Sequence, residues 1–422
     1  LSAAKDAGRA VEDPRPAAER AEHAEHVERA GRAERAAPAV DAAYAAGAAR
    51  PAHRVAEAVA LADHVDPLAA VRGPGDPAYD VYLTGTVFLD IVFTGLDHAP
   101  IRGTESWARG MGSSPGGIAN MATALARLGL RTTLAAAFGT DIYGDYCWES
   151  LADSEGVDLT ASRRVPGWHS PVTVSMAYEG ERTMVTHEHP APPTATGPPP
   201  LSRACVTAFE PGRQDGWVGQ AHARGSQVFA DVGWDESGRW DIAALPDLPY
   251  CHAFLPNATE AQRYTHTDSP EHAVRALADL VPIAVVTKGP QGAVAVDSLT
   301  GEYADVPGLA VDALDPTGAG DVFVAAFMTG TLAGWPLADR LAFANLTAGL
   351  SVQHFGGSLS APGWPEIAAW WAWATQPTVA QRTGPQHAQT VRRYRFLDRL
   401  IPAEVRDCSR LRALPTIGFR GA

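Results

Sequence analysis

The chain has 422 residues, 46% of them hydrophobic, a formal net charge of −14 and four cysteines. That composition supports a sizeable core, while no apolar run reaches the length of a membrane-spanning helix. The acidic balance weighs against nucleic acid as a partner, and cysteines at 147, 205, 251 and 408 without a C-x-x-C pair give neither a disulfide framework nor a zinc site.

Residues 1–76 are rich in Ala, Arg and Glu and carry no apolar stripe, so this segment reads as a disordered or loosely helical extension. It shows no secretory pattern, and a reducing cytoplasm is the expected compartment. Gly73-Pro74-Gly75-Asp76-Pro77 marks a boundary, with a domain expected over residues 77–377. Tyr79 to Phe93 is an almost unbroken apolar run, as a central strand covered on both faces would be. Asp90 stands near its end, where a turn-capping carboxylate and a ligand-binding one are both open readings. Pro115-Gly116-Gly117 then enters a helix through Asn120 that closes at Gly129.

Two excursions interrupt the alternation of strands and helices: residues 99–113, and an alternating hairpin over 172–186. His187-Glu188-His189 reads as part of a solvated loop rather than a metal site. Asp231 ends a short strand, and the aromatic-acidic loop that follows, Gly233 to Asp241, has no assignment from sequence. Asn257 and Glu260 lie three apart at a helix start, the spacing of a capping box and also of two polar groups on one helix face. Ile283 to Ala293 is a strand, a tight turn containing Lys288 and a returning strand; no Walker-type loop is present.

The central stretch is Asp315-Pro316-Thr317-Gly318-Ala319-Gly320-Asp321, ahead of the apolar run Val322 to Met328. Gly318 and Gly320 allow a sharp turn, so amides at the helix start can converge on one anion. Asp321 is then placed to take a proton from a hydroxyl attacking a phosphoryl group. A helix over 336–354 with Asn345, the Gly356-Gly357-Ser358 turn and a tryptophan-rich segment follow. Residues 378–422 read as a detached basic tail, although Tyr394-Arg395-Phe396-Leu397 is apolar enough to dock.

Asp-x-Thr-Gly-Ala-Gly-Asp resembles the C-terminal signature of the ribokinase-like (PfkB) carbohydrate kinase family. Gly116-Gly117 with Asn120, Asn257-x-x-Glu260 and Thr287-x-Gly289-x-x-Gly292 match further family elements in order. The resemblance spans about residues 78–370 and implies a three-layer α/β/α fold with a mostly parallel central sheet and a small β lid (about 99–113 and 172–186). It implies transfer of the ATP γ-phosphate to a primary hydroxyl of a sugar, with Asp321 as base and the Gly318, Ala319 and Gly320 amides as anion hole. Asp90, Gly116, Gly117 and Asn120 would bind the acceptor, and Thr287, Gly289, Gly292 and Asn345 the nucleotide. Mg2+ would be organised by Asn257 and Glu260, partly through water, and a monovalent cation such as K+ by Asp315. The same resemblance admits a homodimer through the lid and an adenosine-like nucleoside kinase; a non-catalytic sugar- or nucleotide-binding regulator is the rival of another class. The sequence departs from ribokinase-type members at Phe88, where they carry an asparagine, and in having Pro115 before the glycine pair.

Overall fold

The computed structural model describes residues 65–178, 181–192, 198–376 and 387–401. In chain order come β1 (Tyr79–Thr84), β2 (Val87–Leu96), β3 (Gly110–Gly117), α1 (Ile118–Arg127), β4 (Thr132–Ala135), β5 (Ala137–Gly139) and α2 (Ile142–Glu149). Next are β6 (Arg163–Val165), β7 (Val172–Tyr178), β8 (Glu181–His187), β9 (Ser202–Phe209), α3 (Gly216–Ala223), β10 (Gln227–Val232) and β11 (Cys251–Phe254). Then follow α4 (Ala258–Thr265), α5 (Pro270–Ala278), β12 (Ile283–Thr287), β13 (Ala293–Asp297) and β14 (Glu302–Val306). Finally come α6 (Ala319–Leu332), α7 (Leu337–Ser351) and α8 (Trp364–Ala374).

Neighbouring residues of the central strands bury to opposite sides, as the strand period requires. Val81, Leu83, Phe229 and Val285 join the core beneath α1, α6, α7 and α8. Tyr82, Val228, Ala230 and Val286 join the one beneath α3, α4 and α5. The sheet between these layers has the order β14-β13-β12-β11-β10-β9-β1-β4. It is parallel from β12 through β4, with antiparallel pairing only at β12–β13 and β13–β14. The fold is therefore α/β with a mostly parallel sheet, as expected, and its parallel strands end on one edge, the usual ligand edge of such sheets.

A second sheet, β3-β2-β7-β8, stands off that edge as the lid. Its composition corrects the reading of the first apolar run. The chain breaks at Gly85-Thr86, so Tyr79–Thr84 is the central strand and Val87–Leu96 crosses into the lid. Asp90 consequently lies inside a lid strand, opposite Ser114 of β3 and Thr173 of β7. Of the expected excursion over 99–113, only the part from Gly110 onward is strand.

Both expected boundaries shift. Leu68 is fully buried in the core, and Arg72 and Arg131 hold the buried carboxylate of Asp80. Burial would raise the Asp80 pKa, but the bonds from Arg131 and the charge of Arg72 bring it below the usual carboxylate range. The fold therefore starts before residue 77. Within the expected tail, residues 387–401 pack on the body: Tyr394 and Leu397 are fully buried, and the Tyr394 ring meets Trp370 edge-on. The Trp371 indole N–H donates to Asp398, and Arg393 donates to the Pro307 carbonyl. The rest of the expected extension and tail lies outside the described residues. Leu397→Ala should lower the unfolding free energy by about 2–4 kcal/mol, the cost of an emptied leucine site. Denaturant unfolding measures this, and an unchanged midpoint would mean that the segment does not pack as described.

Candidate active site

Gly318 caps α6 at φ 74°, a left-handed conformation that a side chain would resist. A Cβ there would also lie 3.2 Å from both the Asn120 amide carbon and the Gly357 backbone. Position 320 is different, because a Cβ on Gly320 would meet nothing within 4 Å. Its smallness is not demanded by protein packing; at the same helix start the Ala319 amide donates to the Pro316 carbonyl at 3.2 Å. Asp315 braces this turn, accepting from the Thr317 amide (2.9 Å), the Thr317 hydroxyl and the Gly356 amide (3.2 Å).

Asp321, in the first turn of α6, accepts a hydrogen bond from Asn120 Nδ2 at 3.0 Å. This joins the N-termini of α1 and α6, two helices distant in sequence that pack side by side on the same sheet face. Burial pushes the Asp321 carboxyl up to about 6, against the lowering effect of Asn120. The Asn120 Oδ1 is buried without a partner among the described residues. Above these groups, a Cβ on Gly116 would fall 1.9 Å from Asp90 Oδ2, so the glycine makes room for the lid carboxylate. Gly117 follows as the N-cap of α1. Burial, then the charge of Asp315, pushes Asp90 up to about 7; Arg182 opposes this and Asp321 adds to it. Phe88 shares the strand face of Asp90, its ring edge 2.8 Å from where a Gly117 Cβ would be. The aromatic ring therefore belongs to the site side of the lid.

Along the sheet edge, Asn257 and Glu260 form a complete capping box at the start of α4, each side chain bonding the other's backbone N–H at 3.0 Å. Thr287 bonds the Pro256 carbonyl beside them, and Gly289 opens the turn after β12. Trp234, Asn257, Thr259, Thr287, Lys288 and Gln291 line a cleft of about 430 Å³ here. The Lys288 ammonium turns to Asp305 (2.8 Å) and Glu271 (3.4 Å). Asn345 and Gly292 meet elsewhere, at the Val306 carbonyl. The Asn345 amide donates to it at 2.9 Å, and a Cβ on Gly292 would crowd it at 2.1 Å. The Asn345 N–H groups are thus spent on the chain after β14.

Sequence reasoning left Asp231 without a role, and the structure puts it in this constellation. Burial pushes its carboxyl up to about 8; the Val232 amide lowers it, and Glu260 and Asp321 raise it further. No cationic side chain pairs with it among the described residues. Its position at the end of a parallel strand was the available signal. His169, His187 and His189 gather beside the lid with ring centroids 4.9–6.3 Å apart. Among the described residues no group of three His, Cys, Asp or Glu is arranged to hold a metal, nor is any helix long and apolar enough to cross a membrane.

The family model of the pfkB family carbohydrate kinases matches residues 83–196 and 219–364. A ribokinase of Schizosaccharomyces pombe is 36% identical over 129 residues, 28% of this chain and 40% of that protein. A nucleoside kinase of Methanothermobacter thermautotrophicus is 26% identical over 313 residues, covering 67% of this chain and 92% of its own length. The structure of an Arabidopsis thaliana ribokinase complexed with ribose and ATP superposes with a TM-score of 0.57 at 23% identity, over 69% of this chain and 97% of that one.

Asp231 gives a stability prediction with a definite sign. Its folded pKa lies above the unfolded one, so between about pH 4 and 8 only the folded chain holds the proton, and stability falls as pH rises through that window. Asp231→Asn should therefore raise the melting temperature at pH 8.5, by the equivalent of about 1–2 kcal/mol, with the gain shrinking toward pH 5. Thermal unfolding at both pH values measures it; a variant less stable at pH 8.5 would refute the uncompensated charge.

Proposed function

The chain belongs to the pfkB family of carbohydrate kinases and is a phosphotransferase with an alcohol group as acceptor; from that premise we propose that it moves the ATP γ-phosphoryl group to a primary hydroxyl of a sugar at the N-terminus of α6. The observation that carries this reading is Asp321, a carboxylate with a pKa of about 6 in the first turn of α6 beside open space at Gly320; of the neighbouring amides, that of Ala319 donates to the Pro316 carbonyl at 3.2 Å. Such a group is ionised at neutral pH yet basic enough to take a hydroxyl proton as the bond to phosphorus forms. Asp90, set over Gly116, would orient the acceptor's hydroxyls. The Gly318, Ala319 and Gly320 amides would hold the oxygens of the moving phosphoryl group, where charge spreads in a loose transition state. Lid closure would exclude water as a competing acceptor.

The cleft beside Thr287, Gly289 and Gln291 suits the nucleotide phosphates, and ATP in the Arabidopsis thaliana relative supports ATP as donor. The adjoining residues fit magnesium: Asn257, Glu260, Asp231 and Asp321 all offer oxygens, and burial, then Glu260 and Asp321, raise the Asp231 pKa with no cationic side chain paired to it among the described residues. Asn257 and Glu260 would hold the ion largely through water, and it would supply positive charge that withdraws electrons from the phosphates. A monovalent cation at Asp315 fits less well. Its oxygens already receive three donors, and the Gly356 carbonyl is engaged by Leu359, so no step is routed through one.

A second reading, a nucleoside or bulkier furanose as acceptor, is favoured by Phe88. An aromatic ring beside Asp90 offers an apolar face and none of the hydrogen bonds an amide would give. Ribose should then be poorer than the best of fructose, adenosine and other nucleosides by about tenfold or more in kcat/KM, about 1.4 kcal/mol of transition-state binding. Measuring the panel under one set of conditions decides it, since ribose as best substrate would return Phe88 to a packing role. Failure to consume ATP with any acceptor of the panel would indicate the non-catalytic alternative.

Asp321→Asn should retain nucleotide binding and lower kcat by ~10²–10⁴. In the wild-type chain, kcat/KM should rise with pH through about 6 and level off above, as Asp321 ionises. Near-normal turnover by the variant, or a flat profile from pH 5 to 8, would remove Asp321 as base.

A further inference from the structure

The wall of the donor cleft is joined to the C-terminal segment by a short run of contacts. β14 ends at Val306, and Pro307, which follows, has no N–H with which to continue the ladder. Its carbonyl is the backbone handle at this point, and two side chains from outside the sheet take it. Asn345 of α7 donates to the carbonyls of Val306 (2.9 Å) and Pro307 (3.4 Å). Arg393 donates to the Pro307 carbonyl at 3.1 Å, from a segment beyond the family match, which ends at residue 364. Gly308 then meets the turn after β12. A Cβ on Gly308 would lie 2.5 Å from the Pro290 carbonyl, and one on Gly292 would lie 2.5 Å from the Gly308 amide. The two backbones touch with no side chain between them to absorb a displacement. Gly289 and Gln291, in the same turn as Pro290, line the cleft proposed for the nucleotide phosphates.

We infer that Arg393 is a positioning residue for the donor nucleotide: from the docked C-terminal segment it fixes the Pro307–Gly308 backbone, and through it the turn Gly289–Gln291 that lines the cleft. This rests on the kinase reading. The anchor is itself fixed, since Tyr394 and Leu397 beside it are fully buried and the Trp371 indole donates to Asp398. The arginine therefore projects from held backbone. A guanidinium donating to a carbonyl makes a charge-assisted bond, stronger than the longer one from the neutral Asn345 amide to the same oxygen. Docking of the segment by itself is served by Tyr394, Phe396 and Leu397; the half-buried Arg393 adds a contact to the cleft wall. Arg399, on the same segment, pairs instead with Asp339 in the first turn of α7. The turn supplies backbone to the donor cleft, so its position acts on the affinity for phosphates shared by donor and product, and not on the acceptor beneath the lid.

The test compares wild type, Arg393→Ala, Arg393→Lys and Arg399→Ala in the full chain, by calorimetric binding of AMP-PNP and of ADP with Mg2+, by thermal unfolding and by steady-state kinetics. Arg393→Ala should weaken both nucleotides alike, by about fivefold to tenfold, the worth of one hydrogen bond from a charged donor. The KM for ATP should rise to match, with kcat at saturating ATP and the acceptor KM within about twofold of wild type. Arg393→Lys, which can still donate to the carbonyl, should recover most of the affinity, and Arg399→Ala should leave it unchanged. Unchanged nucleotide affinity in Arg393→Ala, whatever its melting temperature, overturns the inference by reducing the contact to packing. A loss shared by Arg399→Ala, or by kcat and the acceptor KM, also overturns it, by making the effect general to the segment or the fold. The binding arm needs no acceptor: if wild type binds nucleotide but turns over nothing, the kinase reading fails, while the affinity ratios still decide the contact. If wild type binds neither nucleotide, the cleft is not a donor site and the inference falls with it.

Discussion

Uncompensated negative charge at one edge of the sheet is the constraint on which this structure depends. Asp90, Asp231 and Asp321 are all held above the usual carboxylate range, first by burial and then in part by one another. A fold gains nothing from such an arrangement by itself, since each carboxylate would be easier to bury with a cationic partner. The chain does make that choice elsewhere: Asp80, fully buried, is paired with Arg72 and Arg131. The contrast separates a carboxylate with cationic partners from those that, under the proposed function, would face ligands. What fills the deficit must bring positive charge, and the helix N-terminus beside it must receive negative charge. A metal-bound polyphosphate satisfies both demands at once.

The order of motifs made most of this edge legible in the sequence. Asp315 to Asp321 specified a turn into a helix, which the structure shows, and pointed to the anion site and base proposed above. Asn257 and Glu260 were legible as a capping box, which the structure shows, and the proposed ligand role is compatible with it. The cap fixes both side chains at 3.0 Å contacts, which is how a helix start can present a carboxylate in one orientation. Asn120 meeting Asp321 could not be read from the chain, because 201 residues separate them and only the packing of α1 on α6 brings them together.

The missed features share a cause. Val87–Leu96 is as apolar as the strand before it, so hydrophobicity could not show that the chain leaves the main sheet at Gly85-Thr86. Periodicity reports that a residue is covered but not what covers it. The same limitation left residues 387–401 within the expected tail, although Tyr394 to Leu397 read as apolar enough to dock; Tyr394 and Phe396 meet Trp370 and Trp335. Asp231 was visible as a strand end, and its importance emerged only when Glu260 and Asp321 were found to act on it.

Placing Asp90 on the lid changes what acceptor recognition means in this chain. On a central strand the carboxylate would be a fixed wall, and acceptor binding would leave the lid indifferent. On β2 it moves with Phe88, and β2 pairs with β7, which pairs with β8. Under the function proposed above, the contacts to the acceptor and the apolar face beside them would thus belong to one hydrogen-bonded sheet. Under the same proposal, an acceptor that satisfies Asp90 and Phe88 would stabilise the closed position and so differentially bind the state able to react. Water can satisfy Asp90 but makes no contact with the ring, and it does not hold the sheet closed. Selection of the acceptor and protection of ATP from hydrolysis then follow from the same strand pairing.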